Sequence, residues 1–264
     1  MLKVKKIAAI TALTAILLLC GCTQTEEIAV DKTKVPTNYE ASYLVKANGF
    51  EYTNKYTVTE SEDKTELIIS SLVDEPWKNQ KEEEGRQIIT TTSRLVLNER
   101  QNASVFAPIF TEEEFKITID KAYYTHFTFE HDHALKSGLI KTKEYDANSE
   151  TGFKENNYAV ALADQYFDKD TLPFVIASFT DSEGVIKVSS GNRDKLQTVK
   201  YEYMKNETLD INGKAFDCKV VLLRPNTAFS VNSAKIWYDS ATGMLIKVQH
   251  DASVMTLTSV EGVE

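Results

Sequence analysis

The sequence lacks the short motifs that mark common enzyme classes. It contains no Gly-x-Ser-x-Gly segment, no glycine-rich phosphate-binding loop and no Cys-x-x-Cys pair. These motifs are typical of serine hydrolases, nucleotide-binding proteins and thiol oxidoreductases. We therefore expect a protein that is not an enzyme and that carries no cofactor.

Proline is also scarce, with five residues among 264, and no internal stretch is rich in Pro, Gly or Ser. Such stretches usually form the linkers between domains. The sequence therefore predicts a single domain over residues 39–264. The polar residues 22–38 that precede it are predicted to form a flexible tether.

The first 21 residues have the pattern of an export signal. Lys3, Lys5 and Lys6 form a cationic start, and residues 7–19 form an apolar run that only two threonines interrupt. A signal peptide combines a charged start, an apolar run of about 7–15 residues and a cleavage site with small residues. The run is shorter than the roughly 20 residues that a membrane-spanning helix needs. Residues 1–21 are therefore predicted to be a signal peptide.

The apolar run ends in Leu19-Cys20-Gly21-Cys22, which resembles the lipobox of bacterial lipoproteins. The resemblance implies cleavage before Cys22 and attachment of a diacylglyceryl group to its sulfur. Two acyl chains give a stable anchor, because each buried CH₂ contributes about 0.8 kcal/mol. We expect the protein on the bacterial cell membrane or outer membrane, facing the extracytoplasmic space. A plain secretory peptide or a poor transmembrane anchor explains the apolar run but not the cysteine at its end.

Charge and cysteine content narrow the choice of partners. The signal holds three lysines and no acidic residue, so the mature chain has 27 basic and 39 acidic residues, a net charge of −12. This balance repels phosphate backbones, and we expect no nucleic-acid partner. With Cys20 removed and Cys22 lipidated, Cys218 has no cysteine to pair with. Its alternating surroundings are typical of a small buried strand residue.

Most of the remaining sequence alternates between apolar and polar residues, as β-strands do. Residues 39–46 alternate, Asn48-Gly49 predicts a tight turn, and similar segments continue to residue 145 and again from 184 to 260. The charged residues 77–86 are predicted to be an exposed loop. The expected fold is mainly β (α+β): a curled antiparallel sheet or half-open β-barrel.

Residues 157–176 break this alternation. Tyr158, Leu162 and Tyr166 are spaced four residues apart, as along one face of a helix. Pro173, in a first-turn position, predicts a second short helix over residues 172–178. We expect this helical insert to pack on the concave face of the sheet.

The C-terminal third carries a recognisable pattern. Asp170-Thr171-Leu172-Pro173-Phe174 opens the short helix, and Ala234-Lys235-Ile236-Trp237-Tyr238-Asp239 leads through a turn at Gly243 into Leu245-Ile246-Lys247-Val248. Residues 165–260 resemble the bacterial envelope family DUF3108, which is similar to the half-open barrels of the LolA/LolB lipoprotein-carrier type. The resemblance implies a concave sheet, partly covered by a helix, that holds acyl chains or another apolar ligand.

Aromatic residues are abundant, with 12 Phe, 12 Tyr and 2 Trp. Such side chains line apolar ligand pockets, but they also fill the core between a sheet and a helix. The candidates for lining a groove are Phe106, Phe110, Phe127, Phe129, Phe167, Phe174, Phe179 and Trp237.

A histidine cluster suggests a metal site. His131 and His133 are two residues apart, so a straight strand places both on one face, in the His-x-His manner of some zinc sites. A third ligand, such as His250, has to come from elsewhere in the chain. A polar strand end after an aromatic strand explains the same cluster without a metal.

Three functions remain open at this point. The first is a non-catalytic binding module for a hydrophobic small molecule, lipid or acyl chain. The second is a structural or partner-binding envelope lipoprotein with a solid core, whose loops at residues 74–86 and 98–114 contact an envelope protein. The third is a metal-binding protein or enzyme that uses His131 and His133. An apolar cavity of a few hundred Å³ between helix and sheet separates the first from the second.

Overall fold

The structure is a computed structural model that describes residues 27–47, 49–78, 81–98, 102–189, 193–225, 233–251 and 253–262. The strands are β1 (Tyr39–Ala47), β2 (Phe50–Glu60), β3 (Glu66–Lys78), β4 (Glu84–Val96), β5 (Pro108–Ile117), β6 (Asp120–Asp132), β7 (Ser137–Tyr145), β8 (Phe153–Ala161), β9 (Glu183–Ser189), β10 (Leu196–Ile211), β11 (Lys214–Pro225), β12 (Ala234–Asp239), β13 (Leu245–His250) and β14 (Ser253–Glu261). The helices are a 3₁₀ turn η1 (Lys32–Lys34), α1 (Leu172–Val175) and a 3₁₀ turn η2 (Ile176–Ser178). Cys22 and the predicted signal peptide lie outside these residues. Among these residues, none of the helices is a candidate for a membrane-spanning segment.

All the strands belong to one antiparallel sheet, in the order β8-β7-β6-β5-β4-β3-β2-β1-β14-β13-β12-β11-β10-β9. Strands that follow one another in the sequence are paired, with the exception of β8 and β9, and one further pairing joins β1 to β14. β8 and β9 form the two edges, and no pairing joins them within the described residues. The sheet therefore curls without closing, which confirms the predicted curled sheet or half-open barrel.

The chain between β8 and β9 enters the interior of the curled sheet, where it forms α1 and η2. The ring of Phe174 on α1 lies 4.8 Å from the ring of Tyr56 on β2 and 6.3 Å from that of Tyr43 on β1. Burying one large apolar side chain contributes about 1.5–3 kcal/mol. Phe174, Val175 and Ile176 are all buried, so this short insert helps to stabilise the sheet around it. The predicted helical insert on the concave face is confirmed.

The first helix predicted within residues 157–176, from the spacing of Tyr158, Leu162 and Tyr166, is wrong. Strand β8 occupies residues 153–161 and pairs along its length with β7, from Phe153 opposite Tyr145 to Ala161 opposite Ser137. Because β8 is an edge strand, most of its side chains are exposed and neither of its faces is apolar. The alternation of apolar and polar residues that identifies a strand is therefore missing. Tyr158, Leu162 and Tyr166 have the four-residue spacing of a helix face although Tyr158 lies in a strand. The second predicted helix, residues 172–178, is present as α1 and η2.

Two segments predicted as loops are largely strand. Trp77 pairs with Gly85 and Lys78 with Glu84, so β3 and β4 continue through most of residues 74–86. β5 begins at Pro108, within the predicted loop 98–114. Charged side chains on the exposed parts of these hairpins satisfy the same sequence pattern as a solvated loop.

Residues 27–38 pack against one end of the barrel. Val30 forms a β-bridge with Phe179, and Ile28 and Val35 are only 7% and 6% exposed. This part of the predicted tether is therefore held on the domain. We call the end of the barrel that residues 27–38 contact the N-terminal end. The β6–β7 turn, residues 133–136, lies at the same end. The distal end carries the β1–β2 turn, which leads into Phe50.

Candidate functional site

The aromatic residues predicted to line a groove mostly pack against the protein itself. The rings of Phe167 and Phe179 are 5.1 Å apart, and Phe179 lies 5.0 Å from Tyr201 on β10. Favourable aromatic pairs have centroids about 4.5–7 Å apart. This side of the interior is therefore filled by the protein's own side chains. Exposed by 4% or less are Phe106, Phe129, Phe167, Phe174, Phe179 and Trp237.

Three of the candidate residues, Trp237, Phe110 and Phe127, have surroundings other than the predicted groove between the sheet and the helical insert. Trp237 Nε1 donates a hydrogen bond to Glu207 Oε2 at 2.9 Å, so the indole packs against β10. Phe110 precedes a fully buried residue on β5, and strand alternation places its own side chain on the outer face. The ring of Phe127 lies 5.0 Å below the guanidinium of Arg193.

A polar pocket lies between the inner face of β2–β5 and the chain just before α1. Its volume is about 280 Å³, and we call it the inner pocket. Small-molecule sites commonly have volumes of about 300–1,000 Å³, so this pocket suits a small ligand. Charged groups at one side are Glu113, Lys169 and Asp170. The other polar side chains that line it are Tyr52, Asn54, Tyr56, Ser71, Thr91, Ser93 and Thr171.

Several polar atoms at the inner pocket have no hydrogen-bond partner in the protein. Asn54 Nδ2 donates to the Tyr56 hydroxyl at 2.9 Å, but Asn54 Oδ1 accepts nothing. Ser93 Oγ is unpartnered although Ser93 is only 1% exposed. Thr111 is opposite Ser93 in the β4–β5 register and lies next to the pocket without lining it; it is fully buried, and its hydroxyl also lacks a partner. An unsatisfied buried polar group costs about 1–3 kcal/mol, so this patch favours a bound molecule that completes its hydrogen bonds.

An ion network fixes the chain beside the inner pocket. Arg193 is 4% exposed; its Nε donates to Asp168 Oδ2 at 3.0 Å, and its other nitrogens contact Asp170 and, at 3.5 Å, Glu113. Ser189 Oγ also donates to Asp168 Oδ2, at 3.2 Å. Burial lowers the pKa of Arg193, but the three carboxylates reverse this effect and raise it above its ordinary value. The network joins the chain before α1 to β5 and to the β9–β10 turn, and it supplies mixed charge to the pocket rim.

The predicted histidine pair lies at the N-terminal end, in a different cavity. His131 lies on β6 and His133 is the first residue of the β6–β7 turn; their rings stack on the same side of the chain, as expected, with centroids 6.3 Å apart. His131 Nδ1 contacts the Tyr166 hydroxyl, and His133 Nε2 hydrogen-bonds the Pro108 carbonyl at 2.7 Å. The two rings help to line a cavity of about 520 Å³. Burial, followed by the charges of His133 and Arg193, lowers the pKa of His131 to about 3, so this imidazole is neutral at neutral pH.

The third predicted metal ligand, His250, does not join this pair. It ends β13 and is half-exposed, 3.6 Å from Asp251. Across the described ranges, no group of three or more His, Cys, Asp and Glu side chains is arranged to hold a metal ion. Cys218 is fully buried, and burial raises the pKa of its thiol to about 11.

The sequence analysis did not identify the inner pocket or Arg193. Thr90, Thr91 and Thr92 follow one another on β4, so hydroxyls stand on both faces and alternation gives no contrast. The one available signal is the series Thr91, Ser93 and Leu95, in which the inner face of β4 changes from polar to apolar. A single arginine in a turn carries no comparable pattern.

No protein-family model matches the sequence, and no curated protein matches it. The resemblance to DUF3108 and to the LolA/LolB type therefore stays a prediction. A β-barrel-like protein of the domain family DUF1849 from Brucella abortus aligns over 90% of this chain and 100% of its own, with 9% identity and a TM-score of 0.53. A protein assigned as a lipoprotein from Parabacteroides distasonis aligns over 89% of this chain and 100% of its own, with 10% identity and a TM-score of 0.30. The second likeness is too weak to support an argument, whereas the first shows that the chain has a β-barrel-like fold.

Proposed function

We propose that this chain is an exported lipoprotein, anchored through Cys22 on the extracytoplasmic side of a bacterial membrane, and that its barrel is a non-catalytic binding module. The N-terminal sequence supports the anchor: a cationic start, an apolar run and Leu19-Cys20-Gly21-Cys22. The unpartnered polar atoms of the inner pocket support the binding role.

The chemistry of these atoms favours a small, neutral, hydroxylated ligand. Asn54 Oδ1 accepts hydrogen bonds, whereas the hydroxyls of Ser93 and Thr111 both donate and accept. A ligand hydroxyl fits Asn54 and Ser93, the two of these residues that line the pocket, because it also donates and accepts. An acyl chain leaves them unsatisfied, and the aromatic residues predicted to hold such a chain are occupied by contacts with one another.

A non-catalytic role is supported by the state of the reactive side chains. The Cys218 thiol is buried and its raised pKa keeps it protonated at neutral pH. His131 is neutral and bound to the Tyr166 hydroxyl rather than to a nucleophile.

The binding role is tested by native mass spectrometry of the mature lipoprotein, purified from membranes in detergent. The ligands are a panel of monosaccharides and, separately, palmitate. We expect a monosaccharide complex that is lost in Ser93→Val, because the added methyl groups occupy the pocket and remove its hydroxyl. Ser70→Ala is the matched control: it removes a hydroxyl from β3 that bonds Thr92 on the other face. A palmitate complex alone, or a pocket that holds only water, contradicts the proposal.

The anchor is tested separately by growth with radiolabelled palmitate. We expect the Cys22→Ser variant to take up no label and to leave the membrane pellet. Equal labelling of parent and variant contradicts lipidation at this position.

A second candidate function is the binding of an extended peptide at β8. This edge strand has no neighbour on one side among the described residues, and Tyr158 on it is 40% exposed. An exposed strand edge binds peptides by adding a strand to the sheet. Ala159→Pro in β8 removes a backbone donor at this edge, because the Leu162 N–H bonds the Lys136 carbonyl just before β7 and alternation along the strand directs the Ala159 N–H away from β7. We expect it to abolish peptide capture without affecting ligand binding in the inner pocket.

A further inference from the structure

The segment that follows Cys22, the proposed site of lipidation, is hydrogen-bonded to the barrel within a few residues. The Ile28 N–H donates to Gln165 Oε1 at 2.7 Å, and Gln165 Nε2 donates back to the Ile28 carbonyl at 3.1 Å. The Thr180 N–H then donates to the Ala29 carbonyl at 3.1 Å, and the Asp31 N–H donates to the carbonyl of Ser178 at 2.8 Å. Residue 28 is therefore a fixed point on the N-terminal end.

The distance from this fixed point to the membrane is limited by chain length. Six residue steps separate Cys22 from Ile28, and an extended chain spans at most about 3.3–3.6 Å per residue, so the reach is about 20 Å. Strands β3 and β4 have 13 residues each, which at about 3.3 Å per residue and a strand tilt of about 40° make the barrel roughly 30 Å long. The linker is thus too short for the distal end to face the bilayer while Cys22 stays anchored.

An exposed leucine stands beside the fixed point. Leu135, in the β6–β7 turn, is 75% exposed. Its neighbour Lys136 forms an ion pair with Asp164, and Asp164 adjoins Gln165, which holds Ile28. An apolar side chain at the edge of a bilayer gains free energy by entering the boundary between headgroups and acyl chains.

We infer that the N-terminal end is a lipid-facing surface, with Leu135 entering the headgroup region of the membrane that holds Cys22. The inner pocket then faces away from the bilayer, because Tyr52 in its wall lies near the distal end of β2. This orientation rests on the proposed lipidation. The proposed orientation does not depend on anionic lipids, because the mature chain is strongly acidic and is not attracted to them.

The experiment uses full-length lipoprotein reconstituted in phosphatidylcholine vesicles that contain a headgroup spin-labelled phosphatidylcholine. A fluorophore is attached to Leu135→Cys in one variant and to Phe50→Cys in the other. Phe50 is the matched control, since it is 76% exposed and stands at the distal end. Cys218 is buried and stays unlabelled in the folded protein. We expect quenching at position 135 to be several-fold stronger than at position 50.

A third variant carries a long Gly/Ser insertion after Gln24, and we expect it to reduce this difference because the barrel then tumbles freely. Equal quenching at the two positions, or stronger quenching at position 50, overturns the inference while leaving lipidation intact. The intact mass of the same sample reports lipidation independently: a mass without the diacylglyceryl group overturns both the anchor and the orientation.

Discussion

The neutral state of His131 makes a quantitative prediction about acid stability. Burial is the main cause, with the charges of His133 and Arg193 second, and together they lower the pKa of His131 from 6.5 to about 3. The unfolded chain binds a proton at this histidine below about pH 6.5, whereas the folded protein does not until about pH 3. Its contribution to stability is therefore fully present above the unfolded pKa and is lost as the pH falls toward 3.

The size of the loss follows from the width of this window. Each pH unit inside it costs about 1.4 kcal/mol, so the free energy of unfolding falls by about 2–3 kcal/mol between about pH 7 and about pH 4.5 because of His131 alone. The His131→Leu variant has no group that titrates at this position. Between the same two pH values we therefore expect its free energy of unfolding to fall by about 2–3 kcal/mol less than that of the wild type. Tyr166→Phe is the control: it removes the hydroxyl that contacts His131 and lowers stability by about 1 kcal/mol at both pH values, but it keeps the pH dependence.

The measurement is urea unfolding at the two pH values, followed by the fluorescence of buried Trp237, in protein that carries Cys22→Ser. The difference between wild type and His131→Leu isolates one histidine from all other groups that titrate. Equal losses in the two proteins refute the reasoning, because they mean that the folded state does not hold this ring neutral.

Three further predictions concern the interior and its turns. Arg193→Met leaves the Asp168 carboxylate buried without its main partner, and we expect urea titration to show a loss of about 3–5 kcal/mol, most of it recovered when Asp168→Leu is added. Gly243 and Gly213 both have a left-handed backbone, with φ of +76° and +81°, but a Cβ at Gly243 meets a backbone oxygen at 1.8 Å whereas one at Gly213 meets nothing within 4 Å. Gly213→Ala should cost about 1 kcal/mol in thermal or urea unfolding and Gly243→Ala clearly more; equal costs contradict the packing at Gly243. Cys218 should resist iodoacetamide at neutral pH in the folded protein and react after unfolding, as measured by intact mass, and rapid labelling of the folded protein contradicts its burial.

The parts of the fold that were predictable are those where one strand face is buried. Tyr39, Ala41, Tyr43 and Val45 alternate with more exposed residues because β1 is central and covered inside by the helical insert. Pro173 marked the start of α1 for a local reason, since its missing N–H costs nothing in a first turn. In these places the local pattern and the tertiary structure agree.

The parts that were not predictable depend on long-range contacts. β8 lacks an apolar face because it lies at the sheet edge, and position in a sheet is not a local property. The inner pocket is built from Asn54, Ser93 and Asp170, which are brought together only when the chain before α1 folds back into the barrel. Polar residues on an inner face look the same in sequence as polar residues in solvent.

The pairing of β1 with β14 has a consequence for the order of folding. Tyr43 pairs with Leu257, far along the chain, whereas the other strand pairings join sequence neighbours that need only a short loop to close. Contacts between residues that are far apart in the sequence form slowly, because the chain loses conformational entropy in closing the loop before the contacts stabilise it. The pairing of β1 with β14 is therefore expected to form last, after the nine residues of β14 have been synthesised. Deletion of that strand removes a piece from the middle of the sheet and bares two edges, so a slightly shortened chain is expected to aggregate rather than to fold with one strand fewer.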